Sequence, residues 1–136
     1  MYTGSCLCGG VAFEIEGGLE PIQVCHCSQC RKAQGTVFAT NIPVPLAAFR
    51  LIRGADLLSS FAASPGKQRV FCGVCGSPIY SRRVDLPYVL RVRAGTLDGD
   101  LATRPIAHFH YASRANWFEC SDELPKFAET YAVKTV

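Results

Sequence analysis

The spacing of the cysteines constrains the fold of this chain more than any other feature. Eight cysteines occur in 136 residues, which is about 6% of the chain and below the roughly 8–10% typical of a small disulfide scaffold. Seven form three clusters and the eighth stands alone: Cys6/Cys8, Cys25/Cys27/Cys30, Cys72/Cys75 and Cys120. A C-x-C pair meets the geometry of a disulfide poorly, whereas a short loop can direct two sulfurs at one ion. The pattern therefore predicts metal binding rather than disulfide bonds.

The first and third clusters together predict a closed metal site. In the segment CGVCG the sulfurs of Cys72 and Cys75 project from a tight turn, and the glycines allow backbone N–H groups to approach them. Cys6 and Cys8 are two residues apart, so on a strand both side chains leave the same face. Four sulfurs complete a tetrahedral zinc site that contributes folding energy and has no open position. The alternative is that one pair consists of ordinary buried cysteines.

The second cluster predicts an open metal site. Cys25 and Cys27 share a strand face, and Cys30 follows in a helical turn. Three protein ligands with one exchangeable position is the arrangement of a catalytic zinc. The side chains that could close the site instead are those of His26, His108, His110 and Cys120. We expect His26 to face away from its neighbours, the other two histidines to be packed or hydrogen-bonded strand residues, and the lone cysteine to be a core thiol.

Short period-two stretches, interrupted every eight to twelve residues by turn residues, predict an all-β fold with short helical turns. The clearest strand is GGVAFEIEGG, in which apolar residues alternate with others between two glycine pairs. In PIAHFHYAS the same alternation places His108 and His110 on one face. The chain has no repeat, low-complexity tract or linker, so residues 1–136 are expected to form one domain.

Two boundaries within this series are predicted from residue type. Ser28 is expected to cap a helical turn over 28–34, which Gly35 stops. The strand TVFATNI is expected to end at Pro43 and Pro45, because proline cannot donate to a sheet ladder.

The charge and polarity of the chain limit its partners and its compartment. The formal charge is +3 with a pI of about 8.5, and seven thiolates holding two Zn²⁺ ions would bring it to zero. Nucleic-acid binders usually have a strongly basic face and a pI above about 9, so no nucleic-acid partner is predicted. No apolar run approaches the roughly 20 residues of a membrane span, and MYTGSCLCGG lacks the features of a secretory signal. The expectation is a cytoplasmic protein with no membrane partner.

Four runs of sequence carry a resemblance to a known family. GSCLCGGVAFEI, CHCSQCRKAQG and SPGKQRVFCGVCGSPIYSR, followed by HFHYASRANWFECSDELPKF, resemble the glutathione-dependent formaldehyde-activating enzymes, also called the CENP-V/GFA domain family. The resemblance implies an Mss4-like β-sheet domain over 1–136 that is pinned by zinc. It also implies two zinc ions per chain: a structural ion at Cys6, Cys8, Cys72 and Cys75, and a catalytic ion at Cys25, Cys27 and Cys30.

The activity that the resemblance implies joins glutathione to formaldehyde as S-hydroxymethylglutathione, which is the reaction of a carbon–sulfur lyase in reverse. A substrate thiol would take the open position on the catalytic ion and react with a small aldehyde. Cations would be needed for the carboxylates of glutathione, and the candidates are Arg31, Lys32, Arg82, Arg83, Arg91 and Arg93. Trp117 could cover the pocket, although a core tryptophan is the simpler interpretation.

Two other classes of function stay open from the sequence. One is a non-catalytic zinc module that binds a partner protein, and the other is a thiol redox or metal-buffering protein that uses Cys25, Cys27 and Cys30. Exposed edge strands in such a fold are also compatible with a homodimer.

Overall fold

A computed structural model describes residues 1–130, and within them the chain forms ten strands and one α-helix. The strands are β1 Tyr2–Ser5, β2 Ala12–Ile15, β3 Ile22–Cys25, β4 Ala39–Pro45, β5 Phe49–Arg53, β6 Leu58–Ser64, β7 Lys67–Cys72, β8 Pro78–Arg83, β9 Leu86–Arg93 and β10 Pro105–Phe109. The helix α1 is Ser28–Gln34, and single 3₁₀ turns occupy Leu46–Ala48, Ala55–Leu57, Ala94–Thr96 and Tyr111–Ser113. The predicted all-β class with short helical turns is confirmed. None of the helices in 1–130 has the length and apolar character to span a bilayer.

The strands form two sheets. The smaller has the order β1-β2-β5, and the larger has the order β10-β3-β4-β9-β8-β7-β6. All pairings are antiparallel except that of β10 with β3, which is parallel and places Phe109 beside Cys25 and His108 beside Val24. A parallel pair needs a long connection. Here the paired residues are more than 80 positions apart in the sequence.

One face of the larger sheet forms the core with the smaller sheet. Val24, Ile42 and Val92 on this face are buried in one cluster with Phe13 and Ile15 of β2. Because side chains alternate along a strand, the residues between them point to the opposite face. That opposite face carries Cys25, Asn41 and Arg93 on β3, β4 and β9, whose backbones are paired through Asn41↔Arg93 and through Cys25↔Ala39.

The fourth strand ends at Pro45, one of the two prolines predicted to stop it, but it is not interrupted at Pro43. Pro43 and Pro45 pair with Arg91 and Val89 of β9. The pairing with β3 stops at Gln23↔Asn41, so beyond this point β4 has a ladder on one side only. A proline is tolerated there because its missing N–H faces the unpaired side.

Gly54 is the glycine whose replacement we expect to disturb the fold most. Its φ is +90°, and an added Cβ would lie 2.8 Å from the Cα of Val11 and closer still to the carbonyl oxygen of Gly10. Changing Gly54 to alanine should lower the free energy of unfolding by about 3 kcal/mol or more, since the backbone strain and the steric clash act together. Urea denaturation followed by circular dichroism measures this.

Two control glycines separate the two contributions. Gly99 has a φ of +71° but open space around it, and Gly18 has open space without the positive φ. Gly99→Ala should cost about 1 kcal/mol from strain alone, and Gly18→Ala close to nothing. A Gly54→Ala variant no less stable than Gly99→Ala would show that the clash with residues 10–11 is relieved at little cost.

Candidate active site and metal centres

Four cysteines from two distant segments of the sequence lie close together, as their spacing predicts. The ligand atoms of Cys6, Cys8, Cys72 and Cys75 all lie within 4.8 Å of one another. The Sγ of Cys8 is 3.5 Å from that of Cys6 and 3.9 Å from that of Cys72. Two sulfurs held 2.3 Å from a tetrahedral zinc are about 3.8 Å apart, so these spacings fit that ion.

The local backbone around these sulfurs is a pair of turns. Cys6 and Cys8 follow β1, which ends at Ser5, so a turn and not a strand brings them together, contrary to the prediction. Backbone N–H groups donate to the sulfurs: that of Val11 to Cys6 at 3.2 Å and that of Val74 to Cys72 at 3.4 Å. Such donors stabilise the thiolate form that a metal requires.

The second cluster is built where β3 meets α1. Cys25 is the last residue of β3, Cys27 caps the helix and Cys30 lies buried in its first turn. The three sulfurs lie within 4.8 Å of one another, and within residues 1–130 no further His, Cys, Asp or Glu joins this group. The donor set suits zinc with three protein ligands.

The helix cap differs from the prediction and bears on the chemistry. The capping residue is Cys27 rather than Ser28, and its sulfur accepts the backbone N–H of Cys30 at 3.3 Å. Hydrogen bonds from Cys25 and then Cys30 hold the pKa of Cys27 well below its ordinary value, while the hydrogen bond to Cys27 raises the pKa of Cys25. Of these two thiols, Cys27 is therefore the one whose thiolate form is favoured.

Four cations lie on the same side of the sheet as this cluster. Arg69 donates through Nη1 and Nη2 to the Sγ of Cys30 at 3.9 and 3.8 Å. Burial lowers the pKa of Arg93 to about 10, and the charge of Cys30 opposes that shift. The pKa values of Lys67 and Arg91 are likewise lowered by burial and raised by Cys25 and Cys30.

Strand register explains why these cations converge. Arg69 on β7 pairs with Ser81 on β8, which pairs with Arg91 on β9, so the three share a face. Lys67 and Arg93 lie two residues from Arg69 and Arg91, and therefore on the same face. Ser81 is small and buried, which leaves room between the two pairs of cations.

Only two of these four cations, Arg91 and Arg93, are predicted from the sequence. Lys67 and Arg69 are not, although their period-two spacing in KQR matches that of RVR. Of the other candidates, Arg31 donates to the carbonyl oxygen of His26 at 3.4 Å. Arg83 forms an ion pair with Asp85, Arg82 lies on the opposite face of β8 from Ser81, and Lys32 is exposed.

The histidines form a separate group with the eighth cysteine. His26 and His108 are buried, and Nε2 of the first lies 2.8 Å from Nδ1 of the second. Nε2 of His108 lies 2.8 Å from Oδ2 of Asp122. Cys120 is half-buried and offers its sulfur within 4.8 Å of both histidines. His26 thus faces away from the three-cysteine cluster, as expected. It lies instead beside His108 and Cys120, in a separate group.

Electrostatics keep the inner histidine neutral. Burial, followed by the charge of His108, lowers the pKa of His26 to about 4. The hydrogen bond to His108 is the main cause that lowers the pKa of Asp122 to about 2. His26 is therefore a neutral imidazole at neutral pH, and Asp122 is ionised.

Two expectations for the C-terminal part of the chain are wrong. β10 ends at Phe109, and His110 adopts a left-handed conformation with a φ of 54°, so the alternation that would align it with His108 stops. The charge of His110 instead contributes to the lowered pKa of Cys27. Trp117 is 66% exposed and not a core residue; with Tyr111 and Arg114 it lines a surface groove.

Comparison with known proteins decides the family. The sequence profile of the glutathione-dependent formaldehyde-activating enzymes matches residues 1–113, which is most of the chain. The chain belongs to this family. The match includes all seven clustered cysteines and ends before Cys120.

The individual proteins that resemble this chain share about a third of its residues or fewer over the matched regions. Proteins from Aspergillus flavus and Aspergillus oryzae, whose names assign them provisionally to the glutathione-dependent formaldehyde-activating enzymes, are each 30% identical over 86 residues. The match covers 61% of this chain and 45% of each relative, so the chain spans about half the length of these proteins. A crystal structure of a Rhodobacter sphaeroides protein has the same fold, with a TM-score of 0.62 and 27% identity over 75% of this chain and 97% of that one.

Proposed function

We propose that this chain is a zinc-dependent enzyme that joins a small anionic thiol of the glutathione type to formaldehyde or another small aldehyde, a carbon–sulfur lyase in the reverse direction. The observation that carries the proposal is one face of a sheet on which three cysteine sulfurs and four buried or half-buried cations converge. The family membership supports the same chemistry. Cys25, Cys27 and Cys30 would hold the ion, which when bound removes the proton of a coordinating thiol.

The reaction forms one carbon–sulfur bond and one oxygen–hydrogen bond, and it breaks the S–H bond of the thiol and the π bond of the carbonyl group. The sulfur of the thiol supplies an electron pair to the carbonyl carbon, and the π electrons of the carbonyl group move to its oxygen. The proton lost from the thiol ends on that oxygen, which gives an S-hydroxymethyl product. The reverse reaction breaks the carbon–sulfur bond and returns the aldehyde.

The residues of the chain have two tasks in this reaction. Arg69 donates to the sulfur of Cys30 and so helps to position this ligand. Lys67, Arg91 and Arg93 offer positive charge to the carboxylates of the thiol, and arginine can bind a carboxylate through two parallel hydrogen bonds. Arg93 is the most deeply buried of these three, and its Nη1 donates to Oδ1 of Asn41, so it would act through its charge rather than by direct contact.

A crossed substrate screen tests the proposal. Several small thiols, anionic and neutral, are combined with several small aldehydes, and adduct formation is followed by exchange NMR against the uncatalysed rate. Acceleration with an anionic thiol is the expected result. No acceleration with any pair, in protein that carries its metal ions, would favour the non-catalytic zinc module. Loss of metal with disulfide formation under mild oxidant would favour the redox or metal-buffering protein.

Removing one cation should alter the choice of thiol. Arg91→Gln is expected to raise the KM for glutathione about tenfold, because a hydrogen bond to a charged group contributes about 1.5–3 kcal/mol, and to leave the KM for neutral 2-mercaptoethanol nearly unchanged. Steady-state kinetics with both thiols measure this. Arg82→Gln is the matched control, since Arg82 lies on the other face of the neighbouring strand. An equal loss for both thiols in Arg91→Gln would mean that this arginine acts on the site rather than on the substrate charge.

A further inference from the structure

We propose that His26, His108 and Cys120 form a third metal site, for a zinc-type divalent ion, and that Asp122 orients one of its ligands. The site is distinct from the two cysteine sites, and its role is to fix the C-terminal segment, residues 114–130, against β10. The proposal does not depend on the catalytic function.

The three ligand residues come from separate parts of the chain. His26 follows β3, His108 lies on β10, and Cys120 belongs to the segment after the last 3₁₀ turn. One ligand atom of each lies within 4.8 Å of the others. Two imidazoles and one thiolate are a donor set that zinc accepts in proteins.

Asp122 prepares His108 to bind a metal. Its carboxylate accepts a hydrogen bond from Nε2 of His108 at 2.8 Å, so that nitrogen carries the proton and Nδ1 presents a lone pair. A carboxylate behind a histidine is the usual arrangement for a metal ligand, because it fixes the tautomer and the ring orientation. The lone pair of Nδ1 faces His26, at 2.8 Å from its Nε2.

His26 has binding capacity that the protein does not use. Its side chain is 0% exposed, and its Nδ1 has no hydrogen-bond partner in the described part of the chain. A buried polar atom without a partner is unusual in a folded protein. Nδ1 is not the atom that faces His108, but a proton placed on it would leave the lone pair of Nε2 for an ion. Nitrogens of two histidines on a tetrahedral zinc are about 3.3 Å apart, so the hydrogen-bonded pair must open by about 0.5 Å to admit an ion.

The charges around the site partly oppose one another. A bound Cys120 thiolate and the Asp122 carboxylate supply two negative charges, and the imidazoles are neutral ligands. Lys126 forms an ion pair with Asp122 at 3.2 Å, and Arg114 and Arg31 lie close enough to lower the pKa of the inner histidine. Binding of an ion therefore rests on its direct bonds to the three ligand atoms rather than on the net charge of the surroundings.

The location separates this site from the three-cysteine site. His108 pairs with Val24, and Phe109 pairs with Cys25, so the histidine lies on the opposite side of the sheet from Cys25. Cys120 and Asp122 also fall after residue 113, where the family match ends. The family match therefore includes two of the proposed ligands, His26 and His108, but not Cys120 or the orienting carboxylate.

Metal binding here would reinforce contacts that the C-terminal segment already makes. The N–H of His108 donates to the carbonyl oxygen of Pro125, and the N–H of Phe127 donates to the carbonyl oxygen of His108, both at 2.9 Å. The N–H of Tyr111 donates to the carbonyl oxygen of Phe127 at the same distance. An ion bound by Cys120 would anchor the start of this segment to the sheet.

Counting metal in matched variants tests the proposal. Protein loaded with zinc and passed through gel filtration should lose one ion per chain on Cys120→Ser, relative to the wild type. The loss should add to that of Cys25→Ser, because the two sites are independent. An unchanged ion count in Cys120→Ser would overturn the proposal, whatever the occupancy of the cysteine sites.

A second variant checks that any loss of zinc in Cys120→Ser comes from a lost ligand and not from a disturbed fold. Asp122→Asn should weaken binding of one zinc ion about 10- to 100-fold, as measured in competition with a chromophoric chelator, since it removes the partner of a ligating histidine. Glu123→Gln, a neighbouring exposed carboxylate, should have no effect. Equal zinc affinities in the two variants would also overturn the proposal. Either negative result leaves the activity with thiol and aldehyde untouched, so the two proposals fail separately.

Discussion

Cys72→Ser is expected to prevent a metal ion from binding at the four-cysteine site and to destabilise the fold strongly. Cys72 is fully buried at the end of β7, and its sulfur lies 3.9 Å from that of Cys8. A structural zinc site contributes its binding energy to folding, because the site does not exist in the unfolded chain. We expect the free energy of unfolding to fall by about 4 kcal/mol or more, which is a large part of the 5–15 kcal/mol of a typical domain.

The experiment must separate metal binding from packing. Zinc content and urea denaturation are measured for the wild type and for Cys72→Ser, each with zinc and with a strong chelator. With chelator, the difference between the two proteins should shrink to the cost of a buried thiol-to-hydroxyl change, about 1–3 kcal/mol. If the difference is the same with and without zinc, the four cysteines are ordinary core residues.

Cys27→Ser is expected to abolish activity while the fold is retained. Serine is a preferred helix-capping residue, so its oxygen can accept the N–H of Cys30 that the sulfur accepts now. The hydroxyl is not a zinc ligand of comparable strength, and the site would lose the cysteine whose pKa the neighbouring thiols hold well below its ordinary value. Adduct formation should fall about 100-fold or more, as for other losses of a central catalytic group.

The neighbouring residue gives the control for this variant. Ser28→Ala changes an exposed hydroxyl in the first turn of the same helix and should leave the rate within about twofold of the wild type. Circular dichroism should report folded protein for both variants. If folded Cys27→Ser forms the adduct at the wild-type rate, the three-cysteine site is not needed for the reaction.

The sequence predicts the elements of this fold better than their ends. Period-two alternation located the strands because it reflects a buried and an exposed face. The fourth strand was cut short at Pro43 because the missing hydrogen bond of a proline counts only where a neighbouring strand is present, and β3 is too short to reach it. The cap at Cys27 was missed because cysteine is not among the residues expected there.

The candidate sites were also predictable only where local spacing defines them. Cys72 and Cys75 could be placed together from their local spacing, and the glycines of the same turn supported this. The row of Arg69, Ser81 and Arg91 depends on strand order and register, which no local pattern specifies. The contact of His26 with His108 depends on a parallel pairing of distant segments and was equally hidden.

Binding of glutathione compared with S-methylglutathione tests the central claim, that the three cysteines leave a position for the sulfur of a small anionic thiol. The two ligands carry the same carboxylates, but the methylated sulfur cannot ionise. By calorimetry on zinc-loaded protein, the account predicts one glutathione per chain, binding at least about 10-fold more tightly than S-methylglutathione, which is about 1.4 kcal/mol. It also predicts that Cys27→Ser removes this preference. Equal affinities for the two ligands in the wild type would contradict the account.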